Sequence, residues 1–326
     1  MQFFTTLILA MTLLVGAITS SLAATPNYPH RPVTIVVPFP PGGPTDNYAR
    51  LIAQRLSSRL GQPFIVVNRP GATGTIGTAF VAKAKPDGYT LLFSSNSSQI
   101  IAPILRIHPP YDGIKDFTPI TLVGRYPFVL VVNNEVPVHT PGELIALAKS
   151  KPNGLFFGSI GEGSGTHLMA ELFLHNAGIK MTRIPYKGGA AVTTALISGE
   201  IQMYFDSISS SKPFIDAGRL RAIAVTGEKR SPLLPAIPTL RESGLGGFDP
   251  TIWLGLFAPK GTSSEIVQTL YRQIHDDLRS DDAVKAHFDT DGIETLGTDP
   301  ARIAPMLSKE KQNWTDLIDM LHLHKE

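Results

Sequence analysis

The sequence predicts an α/β protein of two successive units, each opening where a β-strand gives way to a helix through a glycine-rich corner. Three observations carry this reading. Val33–Val37 is a run of β-branched residues, as a buried strand favours, and it stops at Pro38-Phe39-Pro40-Pro41-Gly42-Gly43. Ala49, Ala53, Leu56 and Leu60 then recur at spacings of three and four, and Gly61 closes that helix as a C-terminal cap. The same order returns when Leu155-Phe156-Phe157 leads through Gly158 to Gly165 into another amphipathic stretch. Open α/β sheets bind ligands outside the carboxyl ends of their strands. These corners are therefore the first candidates for a site.

The elements follow in chain order. Phe64–Val67 reads as a second strand, and Asn68 to Gly77 as a glycine-rich connection into a helix ending near Lys85. That connection has neither the Gly-Lys-Ser/Thr of a P-loop nor a G-x-G-x-x-G, so it is read as a structural turn. Tyr89–Phe93 is a third strand, which completes a βαβαβ opening and implies parallel pairing with right-handed crossovers. It ends in Ser94-Ser95-Asn96-Ser97-Ser98, either a solvated helix cap or a polar wall beside the first corner. Ile120–Val123 and Phe128–Val132 are extended segments on either side of residues 124–127.

The pattern then restarts. A helix runs from Pro141 to Lys149, and the corner Gly158 to His167 enters a helix closed by Gly178. Strand Thr182–Ile184 leads to a third corner, Pro185 to Gly189, followed by a helix from Ala190 to Ser198. Strand Ile201–Phe205 ends at Asp206, and Leu220–Thr226 is a further strand. Residues 232–250 form an irregular proline- and glycine-rich excursion before the extended stretch Trp253–Ala258. Thr262-Ser263-Ser264-Glu265 has the form of a capping box and starts a helix to about Leu278. Asp299-Pro300 opens the last helix, with proline at its first position.

Composition narrows the function classes. A chain of 326 residues has room for about two domains, and 43% hydrophobic with 17% charged residues is ordinary for a soluble globular protein. A net charge of +2 without any Lys/Arg run argues against a nucleic-acid partner. The absence of cysteine removes disulfides, thiolate metal sites and a Cys nucleophile, and it suits an oxidising compartment. Phe3 to Ala17 is an apolar run shorter than the roughly 20 residues of a spanning helix. Small residues at Ser21 and Ala23 follow it, so residues 1–23 read as a signal peptide cut after Ala23, although no Lys or Arg precedes the run.

Catalytic readings are tested by spacing. Neither Ser159 nor Ser164 stands in G-x-S-x-G, because Phe157 and Glu162 occupy the glycine positions. Ser164 with His167 remains a conceivable hydrolytic dyad, but both are more simply caps of a helix start. There is no H-E-x-x-H, and His287, His322 and His324 lie on polar C-terminal helices, so no metal site and no cofactor is expected. What remains is a set of hydrogen-bond donors. The first group is the Gly42 and Gly43 backbone with Thr45; the second is Ser159 with Gly163, Ser164, Gly165 and Thr166; the third is Tyr186, Lys187 and Gly188. Backbone nests of this kind suit carboxylates, and two that face each other would hold both ends of a short dicarboxylate. Asp46 and Asp206 would stand nearby, as helix and loop stabilisers, as groups orienting the donors, or as acceptors for an ammonium.

The ordered series of motifs resembles the Bug-type receptors, periplasmic solute-binding proteins associated with tripartite tricarboxylate transporters. It runs from Pro38 to Asp46, through Asn68-Arg69-Pro70-Gly71-Ala72 and Lys85 to Thr90, to Gly158-Ser159 and Gly163-Ser164 with His167. Pro185 to Gly188, Leu220 to Thr226, Pro238-Thr239 with Glu242-Ser243-Gly244, Trp253 to Leu256 and Ala258 to Thr262 complete it. The resemblance implies a two-lobed, Venus-flytrap (type II-like periplasmic-binding-protein) fold, each lobe a mostly parallel sheet flanked by helices. Residues 24–123 and 227–326 would form one lobe and residues 124–226 the other. It also implies a small carboxylate ligand, di- or tricarboxylic or aromatic, held by Phe39 to Asp46 (with Pro41) on one side. Ser159 and Gly163 to His167 would hold it on the other, with Tyr186, Lys187 and Asp206 completing the wall and Ser95 and Asn96 beside it. The expected protein is a monomeric periplasmic receptor, not an enzyme, that delivers its ligand to membrane transporter subunits; a periplasmic sensor for a signalling system is the alternative. Pro41, Ala190-Ala191 and the stretch 94–98 depart from the family pattern near the cleft, which bears on ligand identity rather than on fold.

Overall fold

The computed structural model describes residues 28–245, 251–321 and 323. The expected signal peptide, His322 and His324 lie outside the described residues. The first half contains β1 (Val33–Val37), α1 (Pro44–Leu60), β2 (Phe64–Asn68), α2 (Thr75–Ala82), β3 (Thr90–Ser95) and β4 (Phe117–Tyr126). Next come β5 (Phe128–Asn133), α3 (Pro141–Ser150), β6 (Phe156–Ser159), α4 (Gly165–Ala177), β7 (Thr182–Pro185) and α5 (Gly189–Ile197). Then β8 (Met203–Ser207), α6 (Ile208–Asp216) and β9 (Leu220–Val225) precede β10 (Ile252–Pro259), α7 (Ser264–Ser280), α8 (Asp282–Thr290), β11 (Glu294–Thr295) and α9 (Pro300–Met320).

Two sheets result, ordered β11-β4-β10-β3-β1-β2 and β7-β6-β8-β5-β9. In the first, β1 pairs in parallel with β2 and β3, while β10 lies antiparallel between β3 and β4. In the second, β6 runs parallel to β7 and β8, while β5 lies antiparallel between β8 and β9. The main strands of each sheet therefore share one direction and a single internal strand opposes them. Each opposing strand is the one that arrives from the other lobe: β5 follows β4 through Pro127, and β10 follows β9 through residues 226–251. This is the expected two-lobed α/β architecture.

Alternation along the strands sorts the core. Val33, Ile35 and Val37 face a cluster with Tyr48, Ile52 and Leu56 of α1 and Leu270, Ile274 and Phe288 of α7 and α8. Val36 and Leu92 face the opposite side, where one cluster runs through Phe257 and Trp314 into Leu130, Phe157 and Phe205 of the second sheet. The two lobes thus share a hydrophobic cluster. A third cluster packs α5 and α6 on the far face of the second sheet. Buried Asp277 of α7 ties α1 down by accepting from Arg59 Nη2 at 2.6 Å and Arg55 Nε at 3.4 Å.

Local expectations fare as follows. Gly61 does close α1, at φ 69° with its N–H on Ser57 O at 3.1 Å. The break expected at 124–127 narrows to Pro127, because Gly124, Arg125 and Tyr126 continue β4 against β10. Helix α7 starts one residue later than the capping-box reading: Ser263 Oγ accepts from Ile266 N–H, while Thr262 Oγ1 donates to Pro259 O at 2.8 Å. The serine-rich stretch after β3 enters a π-helical turn, Ser97–Ile101, and then one α turn, Ala102–Ile104. No helix among the described residues is long and apolar enough to cross a membrane.

Candidate functional site

A cleft of about 710 Å³ separates the carboxyl-end corners of the two sheets. The first lobe contributes three segments to its wall: Pro38–Pro40 after β1, Pro70–Gly74 after β2, and Ala102, Leu105 and Arg106 after the helical turn. The second lobe contributes Ile160–Glu162 after β6 and Tyr186–Gly188 after β7. The lobes touch around this opening. Thr73 Oγ1 donates to Glu162 O at 2.7 Å, and Gly165 N–H donates to Ser97 Oγ at 3.2 Å. Gly163, at φ 65°, lies so close against Leu105 that a side chain there would collide with it.

The first corner holds an internal anion. Asp46 is buried, and its carboxylate accepts from Gly42 N–H at 3.0 Å, from Arg50 Nε and Nη2 at 3.0 Å each, and from Asn68 Nδ2 at 2.8 Å. Burial alone would push this carboxyl up, but these donors outweigh it and hold Asp46 below the usual carboxylate range. The Gly42 N–H is thus engaged within the corner. Phe39 lies on the cleft wall with its carbonyl accepting from Asn68. Pro41, Gly42, Gly43, Thr45 and Asp46 shape the corner without forming the wall itself.

The second corner is internally braced too. Ser164 caps α4 by accepting from His167 N–H at 3.2 Å and donates to Gly161 O at 2.8 Å. Thr166 Oγ1 accepts from Ile160 N–H at 3.3 Å. The His167 ring takes Gly163 N–H on Nδ1 at 3.1 Å, which leaves its proton on Nε2, 3.4 Å from Glu171. Both ring nitrogens therefore face groups other than the Ser164 hydroxyl, so the pair is not arranged as a hydrolytic dyad. Ser159 differs from its neighbours: its Oγ is enclosed and has no hydrogen-bond partner among the described residues.

Tyr186, Lys187 and Gly188 do lie on the wall. The Tyr186 hydroxyl donates to Glu200 at 2.8 Å, and desolvation with that carboxylate pushes it up to about 12. Lys187 is exposed and makes no ion pair with the described residues. Gly188, at φ 111°, is the cap residue of α5 and offers no side chain to it, so the first-turn N–H groups of that helix keep their donors open.

Ser95, Asn96 and Asp206 are placed elsewhere. Asn96 donates to Thr251 O at 2.8 Å and to Glu310 at 3.0 Å. Glu310 also accepts from the indoles of Trp253 at 2.6 Å and Trp314 at 3.1 Å, and burial pushes its carboxyl up. Asp206 accepts from Ser211 Oγ at 2.7 Å and Ser207 N–H at 2.8 Å behind the second sheet's end.

Sequence reasoning missed two parts of the wall. One is the loop 70–74, read as a structural turn; Ala72 and Thr73 take left-handed φ of 49° and 55° there. Non-glycine residues held in that region cluster at functional sites. The other is Arg106, a lone cation in an apolar stretch with no motif around it.

Comparison with known proteins assigns this arrangement to a family. The profile described as tripartite tricarboxylate transporter family receptor (TctC) matches residues 48–323. The chain belongs to this receptor family. It is 38% identical to protein BugT of Bordetella pertussis over 293 residues, covering 89% of each protein. An R. palustris protein solved with adipate superposes with a TM-score of 0.86 at 36% identity, covering 90% of this chain and 98% of its own. MatC of Rhodopseudomonas palustris, solved with bound malate, gives 0.83 at 32% identity over 89% of this chain and 100% of its own. As a member of this family the chain is a solute-binding receptor and not an enzyme.

Proposed function

We propose that the protein captures a small di- or tricarboxylate in the cleft between its lobes and delivers it to a tripartite transporter in the membrane. It acts as a monomer in the periplasm after removal of residues 1–23. The lobes divide as residues 24–126 with 227–326 and residues 127–226, the boundary at 123 moving because Gly124, Arg125 and Tyr126 continue β4. One observation carries the reading: cationic Lys187 and Gly188, the cap residue of α5, line a cleft to which both lobes contribute walls. A carboxylate there gains charge-assisted hydrogen bonds and favours the α5 N-terminus. Contacts to both lobes at once make the closed form the better binder, which is what closure on a ligand requires. The adipate and malate held by two similar proteins support a dicarboxylate as the ligand class.

The test is a thermal-shift screen of purified protein, stripped of bound ligand by unfolding and refolding, against mono-, di- and tricarboxylates. A ligand at 100 times its Kd adds roughly 2.7 kcal/mol of stability. Lys187→Ala should weaken the hit by roughly tenfold or more while leaving the unliganded melting temperature unchanged. Unchanged affinity in that variant would overturn the placement of the ligand.

A further inference from the structure

We propose that Arg106 determines specificity by holding a second carboxylate of the ligand, so that the preferred solute is a diacid with an apolar midsection spanning the two lobes. This rests on the receptor function proposed above and narrows its ligand.

Four groups of charge surround the cleft and two of them are internally matched. Asp46 is neutralised by Arg50, and Glu162 faces Arg183 Nη2 at 3.3 Å. Lys187 on the second lobe and Arg106 on the first make no ion pair with the described residues. Arg106 is also half-buried, and its Nε is enclosed without any hydrogen-bond partner. The enclosed Nε lies out of a solute's reach, but Arg106 lines the cleft as a charge without a counter-ion among the described residues, and a carboxylate is the group whose paired oxygens fit a guanidinium.

Position supports the same assignment. The π-helical turn after β3 and the α turn that follows it deliver Arg106 to the cleft, directly after Leu105. Leu105 packs on Gly163 of the opposite lobe, so Arg106 sits beside a lobe–lobe contact. The wall that Arg106 and Lys187 share is largely apolar, with Phe39, Pro70, Leu105 and Ile160 among its residues. A monoacid can match only one of the two cations. A diacid matches both and bridges the lobes, while its hydrocarbon body covers the apolar wall. A volume of about 710 Å³ is roomier than a four-carbon diacid fills, which favours longer aliphatic or aromatic spacers.

Calorimetry on the ligand-stripped protein separates the possibilities, using adipate and terephthalate against their monomethyl esters, which keep the length and lose one charge. The wild type should prefer each diacid over its monoester by at least about tenfold. Arg106→Gln should erase most of that preference, weakening the diacids by about 10- to 100-fold while changing the monoesters little. Arg106→Lys should restore part of it, because it returns the charge without the planar fork. Melting temperatures of the unliganded variants control for folding. If Arg106→Gln keeps the diacid preference while Lys187→Ala weakens every ligand, the cleft stands and the role of Arg106 is refuted. If the wild type binds neither diacids nor monoesters at millimolar concentration, the receptor reading of this cleft falls, and this proposal with it.

Discussion

Asp206→Asn offers the sharpest test of how burial acts on this protein. The Asp206 carboxylate closes β8, with Ser207 N–H at 2.8 Å and Ser211 Oγ at 2.7 Å. Burial is the dominant influence and pushes its carboxyl from 3.8 to about 6, against the lowering effect of those donors. A displacement of that size corresponds to about 3 kcal/mol. The sign follows from which state releases its proton first. Below pH 3.8 both folded and unfolded chains are protonated and the contribution is fully present. As pH rises through about 6 the unfolded chain ionises before the folded one, and the stability is lost. Asparagine cannot ionise, yet its Oδ1 can still accept from Ser207 and its Nδ2 can donate to Ser211. The difference in unfolding free energy between variant and wild type should therefore grow by about 2.4 kcal/mol in favour of the variant from pH 4 to pH 7. Urea unfolding at constant ionic strength measures it, with equal m-values as the check that the unfolded states match. Two parallel pH profiles would refute the reasoning.

Two other perturbations probe the frame around the cleft. Gly163→Ala places a methyl group against Leu105 and forces alanine into a left-handed backbone conformation. It should lower stability by about 1 kcal/mol and reduce ligand affinity several-fold, with a larger radius of gyration in solution scattering when ligand is present. An unchanged radius with unchanged affinity would mean that Leu105 simply moves aside. Glu310→Ala removes the acceptor shared by the indoles of Trp253 and Trp314, the chain's two tryptophans. It should lower stability by roughly 2–5 kcal/mol and shift the intrinsic fluorescence of the folded protein, because the Trp253 N–H is left buried without its acceptor.

The frame was legible because several local signals agreed. Val33–Val37 had strand composition, Gly61 stood where a helix needs a left-handed cap, and Asp299-Pro300 had the form of a helix start. Each feature acts within a few residues, so reading it required no knowledge of the fold. The site was legible only in part. Three roles were open for Asp46 (stabilising its helix, orienting the corner's donors, or accepting an ammonium), and its bonds to Gly42, Arg50 and Asn68 are those of a group that orients the corner. Nothing in the sequence states which way a carboxylate on the first turn of a helix will point. Ala72 and Thr73 were missed because their left-handed conformation is imposed by the loop and is not favoured by their side chains. Arg106 was missed because what distinguishes it is its place on the cleft wall without an ion-pair partner among the described residues, and that becomes visible only when the charges near the cleft have been paired off.

The residues that were hard to read share a physical property. At the mouth of the cleft Thr73, Ser97 and Leu105 of the first lobe touch Glu162, Gly165 and Gly163 of the second. Apart from the hydrophobic cluster that the lobes share, these two hydrogen bonds and one side-chain contact form a weak clasp, worth about 1–3 kcal/mol for the hydrogen bonds. A weak clasp is what a receptor of this kind needs. If the lobes held each other strongly, the closed form would dominate without ligand and solute would have no route in. If they repelled, a ligand would lose affinity by the fraction of molecules able to close. The segments carrying the clasp are also those that bring Arg106 and the loop 70–74 to the cleft, so lobe contact and the cleft wall are built from the same short stretches of chain. A solute that engages Arg106 on one lobe and Lys187 on the other would add its own binding energy directly to that clasp.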